Sequence, residues 1–392
     1  MNETDYKKHV VIIGKYYPPE FGGIESYTAD VVRSLSRKYR VTVVVHSTDS
    51  QDHIERNGDV TIIRCGTKAI VKAQPISPSM WLHLRNLKPD LIHFNAPNFW
   101  ASAALFAMHR DCPLIVTHHA DVFGRRLLKL LVLPFYRSIV RRSRHVLVIS
   151  IKNARISPDL PKDISSIVEL PWGVDDSAFQ PSEHDDALRA KRKSRFGNDF
   201  LVGFVGRFVR YKGIDVLLRA LSRVDGIKAV LVGDGPLRPQ AETLIQQLGL
   251  SDRVHLTGSV SNFEKIQEMK QMDVLAFPST ETTEAFGLVQ VEAQLLKIPV
   301  IASNLPTGVT DVTDETTGIL VRPGDDIELA DALKKLRDDR ELAARFGEAG
   351  YQRALEKFTL RRFEKRILDL VDSCLQQTPA PVKNGKPFQT TT

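Results

Sequence analysis

Twice along this chain, short apolar runs alternate with amphipathic stretches, and this repetition constrains the fold more than any other feature. Val10–Ile13, Val41–His46, Val60–Arg64, Leu91–Phe94, Leu114–Thr117 and Val146–Ile149 are each the length of one strand. Helical stretches such as Ile24–Lys38 and Trp100–His109 separate most of them. Strands that read as continuous apolar runs are buried on both faces, as in a parallel sheet covered by helices. The pattern restarts at "DFLVGFVGR" and continues through "IKAVLVGDG", "RVHLTGS", "MDVLAFPS", "IPVIAS" and "TGILVRPGD". Between the two series lies Asp175–Asp199, which is polar, charged and weakly apolar and suits a linker plus an opening helix. The expected fold class is therefore α/β, with two Rossmann-like, doubly wound domains. The expected order is a first domain over residues 1–176, a linker over 177–199 and a second domain over 200–357. An amphipathic helix over 358–376 and a disordered tail over 377–392 follow.

At 392 residues, two domains are the natural expectation, and each half can bury its own core. No run of about 18 apolar residues occurs, so no membrane-spanning helix is expected, and Met1–Lys15 lacks the charged-then-apolar pattern, so no signal segment is expected there. Cys65, Cys112 and Cys374 lack metal-ligand or redox spacing and read as reduced thiols in a cytoplasmic protein. The net charge of +7 allows an anionic partner: nucleic acid, anionic lipid or a phosphorylated small molecule.

In doubly wound folds, ligands bind beyond the carboxyl ends of the strands. After the first strand come Gly22 and Gly23, where backbone amides at a helix start can approach an anion. His118, His119 and Asp121 follow the fifth strand. Adjacent residues on extended chain point oppositely, so at most one of these histidines faces a ligand. Zinc competes for the histidines, but no second cluster has suitable spacing. Arg207 and Lys212 follow the first strand of the second half, just before Gly213, and together can neutralise a diphosphate. Glu284 precedes a turn at Ala285-Phe286-Gly287, and Glu292 lies in the second turn of the helix beyond it. Two carboxylates beside a phosphate site make sense if they accept hydrogen bonds from hydroxyls, and a sugar nucleotide supplies those on its ribose and on its sugar.

The ordered set "FGGIE", "THHAD", "GRFVRYKG", "VGDGP", "FPS" and "EAFGLVQVEA" resembles the retaining glycosyltransferases of family four, with the GT-B fold, a group that includes bacterial mannosyl- and glucosyltransferases. The resemblance covers nearly the whole chain, and its most specific element is the spacing of Glu284 and Glu292. It implies two domains facing across a cleft, with the C-terminal helix returning to the first domain. Arg207 and Lys212 would hold the donor diphosphate, Glu292 the nucleotide ribose and Glu284 the donor sugar. The amides of Phe286, Gly287 and Leu288, together with Gly233, would also bind the donor. His119 matches the active-site histidine, Asp121 supports it, and Gly22 and Gly23 approach the donor phosphate or the acceptor. Catalytic roles thus fall on His119, Glu284, Arg207 and Lys212, with no metal or other cofactor. "PWGVD" departs from the pattern at Trp172, where many relatives have Asn.

The stretch Arg125–Arg144 holds seven basic residues and no acid. Arg137, Arg141 and Arg144 are spaced to share one helix face, with Leu127, Leu128, Leu130, Leu131 and Phe135 nearby. Such a surface suits anionic lipid headgroups. It points to a peripheral position on the inner face of the cytoplasmic membrane and to an acceptor linked to a polyprenyl diphosphate or another lipid. Nucleic-acid binding is not expected, because no aromatic platform accompanies the charge. A soluble acceptor, a sugar-nucleotide epimerase of the same fold and a non-catalytic scaffold are the competing readings. Intact Glu284, Glu292, Arg207 and Lys212 speak against the last.

Overall fold

A computed structural model of the chain describes residues 7–20, 22–71, 74–108, 112–121, 126–164, 166–182 and 185–376. These residues fall into two compact units. One is drawn from Met1–Leu147, Pro158–Val168 and Glu364–Thr392, the other from Val148–Ser157 and Glu169–Phe363. The tail expected over 377–392 lies outside the described residues.

The first unit is built on β1 (His9–Ile13), β2 (Arg40–His46), β3 (His53–Asn57), β4 (Val60–Cys65), β5 (Ala69–Val71), β6 (Gln74–Ile76), β7 (Leu91–Ala96), β8 (Leu114–His118), β9 (His145–Val148) and β10 (Ile167–Glu169). Eight of these form one sheet in the order β10-β9-β8-β7-β1-β2-β4-β3, while β5 and β6 pair separately. β1 is parallel to β2 on one side and to β7 on the other, with Val10 opposite both Val41 and Leu91. The strand order therefore reverses between β1 and β7, where connections leave to opposite sides and open a crevice. The β-branched runs of β1 and β2 are fully buried, as expected of strands covered on both faces. β3 pairs antiparallel with β4 at the sheet edge and is exposed throughout.

The second unit contains β11 (Phe200–Val205), β12 (Ile227–Val232), β13 (Val254–Gly258), β14 (Val274–Phe277), β15 (Val300–Ser303) and β16 (Gly318–Val321). Its order is β13-β12-β11-β14-β15-β16, and every pair is parallel. Here the order reverses between β11 and β14. One face is packed by helices carrying Leu217, Leu221, Leu329 and Leu333. The other is packed by Met269, Ala293 and Val309.

The stretch 177–199 carries the opening helix expected there. It contains the end of a 3-10 turn, Asp176–Phe179, and the helix Asp185–Phe196, all within the second unit. Two buried aromatics dock it: Phe179 packs with Phe286 and Val291, and Phe196 with Leu201 and Met272. Arg192 adds an ion pair to Asp273 and Arg195 one to Glu268. A segment with so few apolar residues reads as polar, yet two phenylalanines suffice to dock it. The terminal helix is Leu360–Gln376. From Glu364 onward it belongs to the first unit, with Arg37 pairing to Glu364 at 3.0 Å and Lys38 to Asp372 at 2.7 Å. Ile367, Val371 and Cys374 are fully buried.

Candidate functional site

In the second unit, the loops after β11 and β14 flank the reversal of strand order. They are bound to each other: Thr280 N–H donates to the Tyr211 carbonyl at 2.7 Å. Gly213 permits that approach. It adopts φ +66°, and a Cβ there would lie 2.0 Å from the Pro278 carbonyl oxygen. The same residue starts the helix Ile214–Ser222. Just before it, Lys212 Nζ lies 2.5 Å from Glu284 Oε2, with both side chains largely buried. Ser279 Oγ donates to the same carboxylate oxygen at 2.9 Å. The Lys212 ammonium also lies over the rings of Phe277 and Tyr211. The structure thus brings together two residues separated by more than seventy positions in sequence.

Beyond Glu284 the chain anchors Phe286 against Phe358, with ring centroids 5.4 Å apart. Gly287, at φ +78°, turns the backbone into the helix Leu288–Leu295, and a Cβ there would meet the Phe277 ring at 2.4 Å. The first turn leaves the amides of Leu288 and Val289 without intrahelical acceptors, the ordinary condition of a helix start. Glu292 lies one turn further on. Both of its oxygens accept from Lys265 Nζ, at 2.6 and 2.7 Å. Lys265 was not identified in the sequence. It sits on the helix Asn262–Met269, whose start is fixed by a capping box between Ser261 and Glu264. A lysine on a capped helix gives no periodic signal of what it reaches. Lys265, Arg207, Gly233, Asp234, Asn262 and neighbouring residues line a cleft of about 810 Å³ at the ends of β11, β12 and β13. Arg207 is exposed there, and Gly233 (φ +131°) packs against the Gly206 carbonyl. Three cations and two carboxylates at the carboxyl ends of these strands can serve a ligand bearing both phosphates and hydroxyls.

In the first unit the two histidines take opposite directions, as alternation demands. His118 ends β8 and is buried. Its Nδ1 lies 2.7 Å from the Tyr136 hydroxyl and its Nε2 3.4 Å from Asp121 Oδ1. Asp121 thus pairs with His118. His119 is half-buried, with Nε2 2.9 Å from Asn95 Oδ1 and Tyr27 edge-on to its ring. Burial holds its titration down to about 3, with the neighbouring His93 and His118 adding to the effect. The ring is therefore neutral at ordinary pH, and it donates or accepts hydrogen bonds without carrying charge.

Gly22 and Gly23 begin the helix Gly23–Ser36. Its first turn carries Glu25, and a Cβ at Gly22 would meet Glu25 Oε2 at 2.1 Å. The amides expected to meet an anion thus have a carboxylate beside them.

The arginine face expected for lipid is corrected. The helix is Arg126–Arg142, so Arg144 lies beyond its end. Arg137 donates to the backbone carbonyls of Asp159 and Pro158, Arg144 donates to that of Cys374, and Arg141 pairs with Asp163. These guanidinium groups hold surface loops and the terminal helix, since a half-buried arginine must use its donors nearby. Leu130 and Phe135 remain exposed, while the side chains of Leu127, Leu128 and Leu131 lie outside the described residues. No described helix is long and apolar enough to cross a membrane.

Comparison with known proteins matches both halves. The family model for glycosyl transferases group 1 matches residues 186–353, and that for Glycosyltransferase Family 4 matches residues 21–177. The O-antigen chain mannosyltransferase C of Escherichia coli is 26% identical over 365 residues, covering 92% of this chain and 97% of the relative. The GDP-mannose-dependent alpha-(1-6)-phosphatidylinositol monomannoside mannosyltransferase of Mycobacterium tuberculosis is 28% identical, covering 87% and 92%. Among solved structures, sucrose-phosphate synthase from Thermosynechococcus elongatus superposes with a TM-score of 0.76 at 22% identity, covering 94% of this chain and 99% of that one. Together the two family models span most of the chain in the order the fold requires, and this protein belongs to the family-four glycosyltransferases of the GT-B fold.

Proposed function

We propose that the protein is a retaining hexosyltransferase that moves mannose from GDP-mannose to a hydroxyl of a lipid-linked saccharide in cell-surface polysaccharide synthesis. The observation that carries this reading is the paired set Lys212–Glu284 and Lys265–Glu292 beside Arg207. Arg207 and Lys212 bind the donor diphosphate and stabilise its charge as it leaves. Glu292 accepts from the ribose hydroxyls and Glu284 from those of the sugar. The anomeric C–O bond to the β-phosphate breaks. A new bond to the acceptor oxygen forms on the same face, and the departing phosphate takes the acceptor's proton. No metal is required, because the cations and helix amides meet the charge. The preference for mannose rests on the two named mannosyltransferase relatives.

A thermal-shift panel of nucleotide sugars tests the donor. GDP-mannose should raise the melting temperature, since ligand at a hundred times its Kd stabilises the native state by about 2.7 kcal/mol. Stabilisation by UDP-sugars and not by GDP-mannose would overturn the donor assignment. An inverted anomeric product, read by NMR, would overturn retention.

The histidines should separate by readout. His119→Ala should lose transfer while melting near the wild-type temperature. His118→Ala should retain transfer but melt lower, because it strips the buried Tyr136 hydroxyl of its partner. The reverse pattern would make His118 the functional residue.

For the acceptor, the exposed Leu130 and Phe135, with Phe106 against Phe135, are the apolar positions that would enter a bilayer at the inner face of the cytoplasmic membrane. Replacing Leu130 and Phe135 together with Glu should weaken sedimentation with phosphatidylglycerol vesicles by at least about tenfold, as each buried side chain is worth roughly 1.5–3 kcal/mol. Equal sedimentation of variant and wild type would favour a soluble acceptor.

A further inference from the structure

His119 is held on three sides. Its backbone N–H donates to the Ala96 carbonyl at 3.1 Å, Tyr27 packs edge-on against the ring at 4.6 Å, and Nε2 meets Asn95 Oδ1. The remaining ring nitrogen, Nδ1, has no hydrogen-bond partner among the described residues, and it is not fully buried. Asn95 is fully buried within β7, where His93 is the other polar residue. Its Nδ2 is buried with no partner among the described residues, so the side chain carries an unmet donor in the interior. A leucine or valine would avoid that cost. What the amide provides in return is one oxygen aimed at His119.

We propose that Asn95 is a positioning residue that fixes His119 in the tautomer protonated on Nε2, leaving the Nδ1 lone pair to accept a hydrogen bond from a substrate hydroxyl. An amide oxygen can only accept, so the Nε2–H must donate and Nδ1 must be bare. A neutral amide also keeps the ring uncharged, which a carboxylate at the same place would not. The other groups around the ring agree. His93 on β7 is buried and bonded to Thr117, His118 faces Tyr136 and Asp121, and Tyr27 presents a ring edge. None of these places an anion against His119. The inference rests on the reading of His119 as a substrate-contacting residue and adds the direction of its hydrogen bond.

Long-range proton–nitrogen NMR on the wild-type protein tests the tautomer without any variant or ligand. The expected spectrum shows a protonated Nε2 and a bare Nδ1 for the resonance that His119→Gln removes. A proton on Nδ1 would overturn the inference and leave the reading of His119 standing. The functional arm measures GDP release from GDP-mannose across pH. Asn95→Asp should add an acid limb to kcat/KM that the wild type lacks, because a carboxylate favours the imidazolium, which cannot accept. Asn95→Ala should lower kcat by about tenfold, the worth of one hydrogen bond, with KM for the donor little changed. An unaltered pH profile in Asn95→Asp would overturn the positioning role. Unchanged GDP release in His119→Ala would instead remove the reading on which it rests.

Discussion

Lys212→Ala and Arg207→Ala should each lower turnover by about two to three decades, the usual cost of removing a group that stabilises charge in a transition state. The two variants should differ in stability. Arg207 is exposed in the cleft and makes no side-chain hydrogen bond or ion pair among the described residues, so its loss should leave the melting temperature unchanged. Lys212 is the ion partner of a buried carboxylate. Removing it leaves Glu284 with the Ser279 hydroxyl alone among the described residues, and an abandoned buried charge costs about 3–5 kcal/mol. Adding Glu284→Gln to Lys212→Ala should recover much of that stability and none of the activity. Near-wild-type turnover in both single variants would take the cation pair out of the mechanism.

Acid should destabilise the first unit well above the pH at which carboxylates titrate. Burial lowers the titration of His46 and His93 to about 4 and that of His119 to about 3. Unfolded, each imidazole takes up a proton near pH 6.5. Between those limits the unfolded chain binds more protons, so stability is present above pH 6.5 and drains as pH falls. Each histidine contributes at most about 1.4 kcal/mol per pH unit, so three together approach about 4 kcal/mol per pH unit. Melting curves from pH 7 to 5 should show a steep fall, and His93→Gln should flatten it by about a third. A melting temperature constant across that range would contradict the burial of neutral rings.

Much of this was legible in the order of residues. The buried strands of both sheets announce themselves because parallel strands covered on both faces must be apolar throughout. The placement of Lys212, Glu284 and His119 at strand ends follows from the same regularity. β3 was not legible: "HIERN" has no apolar alternation, and it is a strand only because β4 offers it backbone partners. Lys265 and Asn95 were missed for a related reason. What they do depends on which side chain lies across from them, and neither a helical lysine nor a polar residue inside a buried strand declares its partner. The arginines of 137–144 show the converse. Their spacing suggested a shared face, but the helix ends at Arg142 and nearby carbonyls and a carboxylate occupy them.

The path of the chain between the two units has a consequence for synthesis. The backbone changes unit after residues 147, 157, 168 and 363. On a ribosome, every residue of the second unit has been made once Phe363 has emerged. The unit that begins with the N-terminus still lacks Ile367, Val371 and Cys374, all fully buried in it. The usual order, in which the N-terminal domain finishes first, is therefore inverted. The half made earliest waits longest, its sheet complete but one hydrophobic bed open until the last helix arrives. A nascent chain stalled anywhere before residue 364 would display that bed to chaperones and proteases, and no single cut in the gene yields two self-sufficient halves.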